Sequence, residues 1–183
     1  MLNERAIFAG FGGQGVMLMG QIVAQSGMNE GKEVSWLPSY GPEMRGGTAN
    51  CAVIVSEAPV ASPVIDHNAT VLVAMNGPSL DKFENDLLPD SVVLVNSSLI
   101  EKKVSRDDVK SYYIDCNEIA NELGNLKVAN MVMLGAFVEA TGCVEAESVL
   151  GAMEKKLGMS KAHLMEINRT AFEAGAKAVR GEA

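Results

Sequence analysis

Residues 5–29 constrain the fold more than any other stretch of the chain. Residues 5–9 (RAIFA) form a short apolar run of strand type that stops at Gly10. Glycines then recur at 10, 12, 13 and 15, and residues 14–29 carry Val16, Met17, Leu18, Met19, Ile22 and Val23 in helical register. A strand that turns through glycines directly into a helix is the opening unit of an α/β domain. The first half of this helix is apolar on most sides, so it is expected to lie buried against a sheet, with Gly31 near its C-cap.

The rest of the chain supplies the strands of that sheet. Residues 34–37 read as a second strand, ended by Pro38, and 48–56 as a longer one with an unbroken apolar core at 52–55. After a turn at Glu57-Ala58-Pro59, residues 59–64 read as an edge segment, which makes this part of the sheet antiparallel. Strands are further predicted over 70–75, 91–95 and, more weakly, 111–114. Helices are predicted from Asn76-Gly77-Pro78-Ser79 to about residue 85, and over 115–123 with Gly124 as its stop.

The remainder reads as wholly helical. Residues 128–140 are almost continuously apolar and too short to cross a bilayer, which predicts a core helix. Residues 145–157 place Val149, Met153 and Leu157 on one stripe. Ser160 is a good N-cap for a last helix, with Met159 and Leu164 at staple positions. Leu164, Ile167, Ala171, Ala174 and Ala178 give that helix a narrow seam that packs on its own domain or on a partner chain. With 183 residues, no internal repeat and no linker, residues 1–183 read as one domain. The expected class is α/β, a Rossmann-like three-layer fold: a mixed sheet, helices on both faces and a helical C-terminus.

Charge and cysteine usage exclude several roles. A net charge of −8 argues against nucleic acid and anionic membranes as partners. The N-terminal MLNERAIFAG has no signal-peptide pattern and no stretch is long enough to span a membrane, so a cytoplasmic location is expected. Cys51, Cys116 and Cys143 are odd in number and lack ligand spacing, which predicts free thiols in a reducing compartment and neither a cluster nor zinc. His67 and His163 have no ligand-spaced companion and read as surface or packing residues.

Three segments carry chemistry. Gly10-Phe11-Gly12-Gly13-Gln14-Gly15 fits G-x-G-x-x-G between strand and helix, where glycines admit an anion to backbone N–H groups at a helix N-terminus. A nicotinamide site would also need an acid about 20 residues on, at the end of the second strand. Glu33 precedes that strand instead, so phosphate-type binding and a tight crossover without a ligand remain. In residues 38–48 (PSYGPEMRGGT), Arg45 beside Gly46 and Gly47 can grip a carboxylate or phosphate bidentately. Tyr40 and Glu43 shape the same loop, and Glu43 either pins Arg45 or meets a neighbouring chain. Asn130 heads an apolar helix, where it caps the helix or bonds nearby backbone. The sequence has no G-x-S-x-G, no carboxylate pair at glycosidase spacing and no Gly-Asp-Gly run, so no catalytic residue is assigned.

GFGGQGV (10–16), followed about 25 residues later by YGPEMRGG (40–47) and then by Asn130 with Leu134-Gly135-Ala136, resembles the gamma subunit of 2-oxoacid:ferredoxin oxidoreductases. That subunit is equivalent to one domain of single-chain pyruvate:ferredoxin oxidoreductase. The resemblance implies a complex that converts a 2-oxoacid and coenzyme A to an acyl-coenzyme A and carbon dioxide while reducing ferredoxin. It implies that thiamine diphosphate, magnesium and iron–sulfur clusters sit on alpha-, beta- and delta-type partner subunits, and that ferredoxin docks on those. Gly10, Gly12, Gly13, Gln14, Gly15 and Arg45 would then help hold coenzyme A. Tyr40, Glu43, Gly46, Gly47 and Asn130 would shape the interface, and the isolated chain would be inactive. The stretch 35–50 (SWLPSYGPEMRGGTAN) is most similar to the 2-oxoglutarate or branched-chain types, 2-oxoglutarate being the expected substrate. The rival readings are a standalone dinucleotide-binding oxidoreductase and a noncatalytic scaffold.

Overall fold

The computed structural model describes residues 2–39, 48–157 and 164–182. Six strands form one sheet: β1 (Asn3–Phe11), β2 (Glu33–Ser39), β3 (Thr48–Ser56), β4 (Ala69–Ala74), β5 (Leu87–Asn96) and β6 (Lys110–Ile114). Their order is β2-β3-β1-β4-β5-β6. β1, β4, β5 and β6 run parallel, while β3 is antiparallel to both β1 and β2. The sheet is mixed, as expected, and β3 is the strand that makes it so. Residues 59–64 do not return as a strand; the 57–68 connection is irregular and Val64 is exposed.

β2 does not stop at Pro38. It continues to Ser39, with Pro38 opposite Cys51 and Ser39 opposite Asn50. Proline is tolerated there because β2 is an edge strand and needs no N–H on its open side.

Helix α1 (Val16–Asn29) begins two residues later than the sequence predicts, because Gln14 belongs to the turn. α2 (Gly77–Phe83) opens on Asn76, whose side chain accepts from the Ser79 N–H, and a short 3₁₀ turn, Glu84–Asp86, follows it. α3 (Cys116–Glu122), α4 (Ala129–Thr141), α5 (Ala146–Leu157) and α6 (Met165–Arg180) complete the chain.

Alternation along β1 divides the core. Ala6 and Phe8 face α1, α4 and their neighbours, and the Phe8 and Phe137 rings lie 4.9 Å apart. Ile7 and Ala9 face the other side, where Leu80 and Phe83 of α2 pack with Leu72, Val93 and Val95. Helices cover both faces, but unequally. α4 is buried without a break from Ala129 to Val138, which accounts for its continuous apolar sequence.

The seam of α6 packs on its own domain and is rotated from the predicted one. Its buried residues are Asn168, Ala171, Phe172 and Gly175. The proposed Ser160 cap, the Met159 staple and His163 lie outside the described residues. α6 crosses α4 backbone to backbone: a Cβ on Gly135 would overlap the Phe172 carbonyl group, and one on Gly175 the Val132 carbonyl group. Gly135→Ala should therefore cost about 3 kcal/mol and lower the melting temperature by roughly 6–12 °C. Gly151→Ala, where a Cβ meets nothing within 4 Å, should not destabilise. Thermal denaturation of the two variants checks the contrast.

A polar latch ties α1 to the α4–α5 connection. Glu30 accepts from Lys32 Nζ at 2.6 Å and from the Glu145 N–H at 2.8 Å, and Lys32 Nζ also donates to the Cys143 carbonyl at 2.7 Å. Burial raises the Glu30 carboxyl, but the Lys32 ammonium and these hydrogen bonds outweigh it and hold the group below its usual 4.5. A depressed folded-state value makes the latch stabilising above 4.5 and lost as pH falls through the folded-state value. Glu30→Gln should accordingly flatten the fall in melting temperature between neutral and acid pH.

Candidate functional site: a carboxamide-lined cleft at the carboxyl ends of the strands

Ligands of open α/β sheets bind beyond the carboxyl ends of the parallel strands. Here the glycine turn leaves β1 at that edge. Gln14 closes it: its Oε1 accepts from the Phe11 N–H at 2.6 Å and its Nε2 donates to the Met75 carbonyl at 3.0 Å. One side chain thus ties the end of β1 to the residue after β4. Gly10 has no room for a Cβ, which would come within 2.7 Å of Gln14 Oε1 and 2.9 Å of Met75 Cβ. Gly13 and Gly15 need glycine for another reason, with φ of 95° and 76°. Gly15 is the N-cap of α1 and offers no side-chain cap, so the first-turn N–H groups keep their partial positive charge.

Asn130 lies against this turn. A Cβ on Gly15 would come within 2.9 Å of its Cγ. The residue is only 8% exposed, and its side chain takes part in no hydrogen bond among the described residues. It does not cap α4, whose N-cap residue is Val128. Instead it lines a cleft of about 280 Å³ together with Gly13, Gln14, Met75, Asn117 and Lys127.

Of the residues expected at a site, the structure therefore brings Gly10, Gly12, Gly13, Gln14, Gly15 and Asn130 together at one edge. Gln14 commits both ends of its carboxamide to the fold. Tyr40, Glu43, Arg45, Gly46 and Gly47 lie outside the described residues. The strand ends that flank them are described: Thr48 pairs with Phe11, the first residue of the glycine turn to follow Gly10.

Sequence reasoning missed Met75, Asn117 and Lys127. Met75 follows β4, and Asn117 lies just after β6 in α3, held by a 2.9 Å hydrogen bond from Asn96 at the end of β5. The usable signal was a carboxamide at or just beyond each of three predicted strands: Asn76, Asn96 and Asn117. Asn76 Nδ2 and Asn96 Oδ1 are buried with no partner among the described residues.

The family model of pyruvate ferredoxin/flavodoxin oxidoreductase matches residues 5–178. The chain belongs to this family. Its sequence is similar to the ketoisovalerate oxidoreductase subunit VorA of Methanothermobacter thermautotrophicus, 39% identical over 178 residues. That match takes in 96% of the chain but 36% of the relative, so the chain spans about a third of the curated relative's length. The structure is similar to the gamma subunit of a keto/oxoacid ferredoxin oxidoreductase from Geobacter sulfurreducens, with 32% identity, a TM-score of 0.83 and coverage of 97% and 99% of the two chains. It also shares its fold with part of a 2-oxoglutarate:ferredoxin oxidoreductase from Magnetococcus marinus that was solved with 2-oxoglutarate, coenzyme A and succinyl-CoA. There the TM-score is 0.89, the identity 21%, and the match covers 99% of this chain and 32% of the other.

In this family member the described residues hold no group of three His, Cys, Asp or Glu side chains able to bind a metal. Cys51 lies on β3, Cys116 opens α3 and Cys143 follows α4, a donor set that does not fit an iron–sulfur cluster. No helix among the described residues is long and apolar enough to cross a membrane. Burial pushes the Cys51 thiol up to about 12 and the Cys143 thiol to about 11, and raises Cys116 further. All three should stay protonated at pH 8 and resist a thiol reagent such as Ellman's in the native chain. They should all react once the chain is unfolded in guanidinium.

Proposed function

We propose that the chain is the gamma-type subunit of a multi-subunit 2-oxoacid:ferredoxin oxidoreductase, which oxidatively decarboxylates a 2-oxoacid to its acyl-coenzyme A and reduces ferredoxin. The observation that carries this reading is a family match that runs from β1 through α6 and takes in the whole carboxyl-edge cleft. Thiamine diphosphate, magnesium and the clusters then belong to alpha-, beta- and delta-type subunits. The complex works in the cytoplasm and ferredoxin docks on those other subunits. The acidic character of this chain, −8, would repel an acidic carrier.

The role of this subunit is to support assembly and to help hold coenzyme A. Coenzyme A in the Magnetococcus marinus enzyme supports the second part. So does the uncapped N-terminus of α1, which offers N–H groups and partial positive charge to a phosphate. Arg45, three residues before the start of β3, would add a bidentate grip. The substrate is 2-oxoglutarate or a branched-chain 2-oxoacid: the resemblance over residues 35–50 fits either type, and the VorA relative is named for ketoisovalerate, a branched-chain 2-oxoacid. The standalone dinucleotide reading is weaker because β2 ends in Ser39, where a nicotinamide site would place an acid.

The test is reconstitution of the complex with Arg45→Ala. The account expects the KM for coenzyme A to rise roughly 10-fold or more, as for loss of a charge-assisted contact, with the KM for the 2-oxoacid unchanged. Unchanged coenzyme A kinetics together with unchanged subunit stoichiometry would sink it.

A further inference from the structure

The amino end of β1 carries a guanidinium whose counter-charge is missing. Arg5 Nε is buried without a hydrogen-bond partner among the described residues, and the side chain joins no ion pair there. Its sequence neighbour Glu4 lies on the opposite face of β1 and accepts instead from Thr70 Oγ1 at 2.7 Å. A cation partly withdrawn from water is costly unless it is paired. The chain has 23 acidic residues, yet none is placed against this one.

Arg5 lines a recess of about 260 Å³. Ile54, opposite Arg5 on β3, lines it from the sheet, and the 57–68 connection closes over it with Pro59, Val60 and Val64. Besides Arg5 and Asn3, which is exposed, its polar residues are Ser56, Ser62 and Asn68. Each of these three already spends its oxygen on local backbone. Ser56 Oγ accepts from the Ala58 N–H at 3.0 Å, Ser62 Oγ from the Val64 N–H at 3.2 Å, and Asn68 Oδ1 from the Asp66 N–H at 3.2 Å. What they have left to give is hydrogen: two hydroxyls and one NH₂ group. The recess thus offers a cation and donors between apolar walls.

An anion with an apolar body answers that combination. A carboxylate matches the guanidinium fork bidentately. A phosphate would use the donors but set its charge against Ile54, Val60 and Val64. A dicarboxylate would bring a second charge, for which the described lining holds no second cation. The volume is small for a ligand pocket and suits a small acid.

We propose that this recess binds the carboxylate of a short branched-chain monocarboxylic acid, with Arg5 as its anchor and Ile54, Val60 and Val64 around its tail. The site goes beyond the chemistry assigned above. It lies at the end of β1 away from the glycine turn and leaves the carboxyl-edge cleft free. The same group arrives in one of two ways: as a free acid, or as the terminal carboxylate of a partner chain ending in a branched residue.

The test follows the Arg5 Nε–H resonance of the ¹⁵N-labelled full chain during titration with isovalerate, 2-oxoglutarate and inorganic phosphate. Isovalerate should shift it with a Kd of roughly 1 mM, as for a ligand of few atoms, while the other two leave it unmoved at the same concentration. Arg5→Gln should weaken isovalerate roughly tenfold or more, the loss of a charge-assisted contact. Val64→Asp, at an exposed position that does not endanger folding, should weaken it as well by setting a carboxylate beside Arg5. Isovalerate that still binds in the reconstituted complex identifies the occupant as a free acid. Isovalerate that binds the isolated chain but not the complex identifies it as a partner's terminus. The proposal is overturned if isovalerate does not move the Arg5 signal, if phosphate or 2-oxoglutarate moves it as readily, or if both substitutions leave binding unchanged.

Discussion

The close approach of backbone at Gly10 and Gly15 is the constraint on which the carboxyl edge depends. At Gly10 the main chain passes under Gln14 and Met75 with no space for a side chain, and at Gly15 it passes against Asn130. Gln14 can bridge β1 and the end of β4 only because Gly10 lets it lie flat. Asn130 reaches the cleft only because Gly15 leaves it room. A larger residue at either position would open the turn, release the bridge and displace the one buried carboxamide that faces the cleft. The glycines thus serve the shape of the site more than its flexibility.

A second close approach fixes where Asn130 can stand. α4 carries it, and α4 is held against α6 through Gly135 and Gly175. Burial of α4 on every side fixes the helix in place, so the position of its first turn is set by packing on the sheet and on α6 at once. The Phe8–Phe137 contact ties the same helix to β1. The turn and the asparagine are therefore both referred to β1, which lies between β3 and β4 within the sheet.

Much of this was legible in the sequence, for identifiable reasons. Strand–glycine–helix order fixed β1 and α1, and continuous apolarity without membrane length identified α4 as a core helix. Pro38 misled because proline forbids a central strand but not an edge one, and edge position is a tertiary fact. Residues 59–64 misled in the other direction: proline and valine there fit an edge strand, yet the sheet already ends at β2. The seam of α6 was placed on alanines because Asn168 and Gly175 count as polar or neutral in a periodicity argument, whereas in three dimensions a glycine makes the closest contact of all. Asn130 was legible as a residue worth attention but not as a cleft-lining one, since an asparagine at a helix start ordinarily caps it. Asn117 was invisible because its meaning comes from Asn96, 21 residues away in sequence.

The central claim is that this chain works as one subunit among several, shaping an edge on which chemistry carried elsewhere depends. Native purification of the chain from its source cell, with mass spectrometry of what travels with it, tests this most directly. The account predicts thiamine diphosphate-binding and cluster-bearing chains at fixed stoichiometry with it. A chain that elutes alone and tightly retains NAD(P)H or a flavin would contradict it.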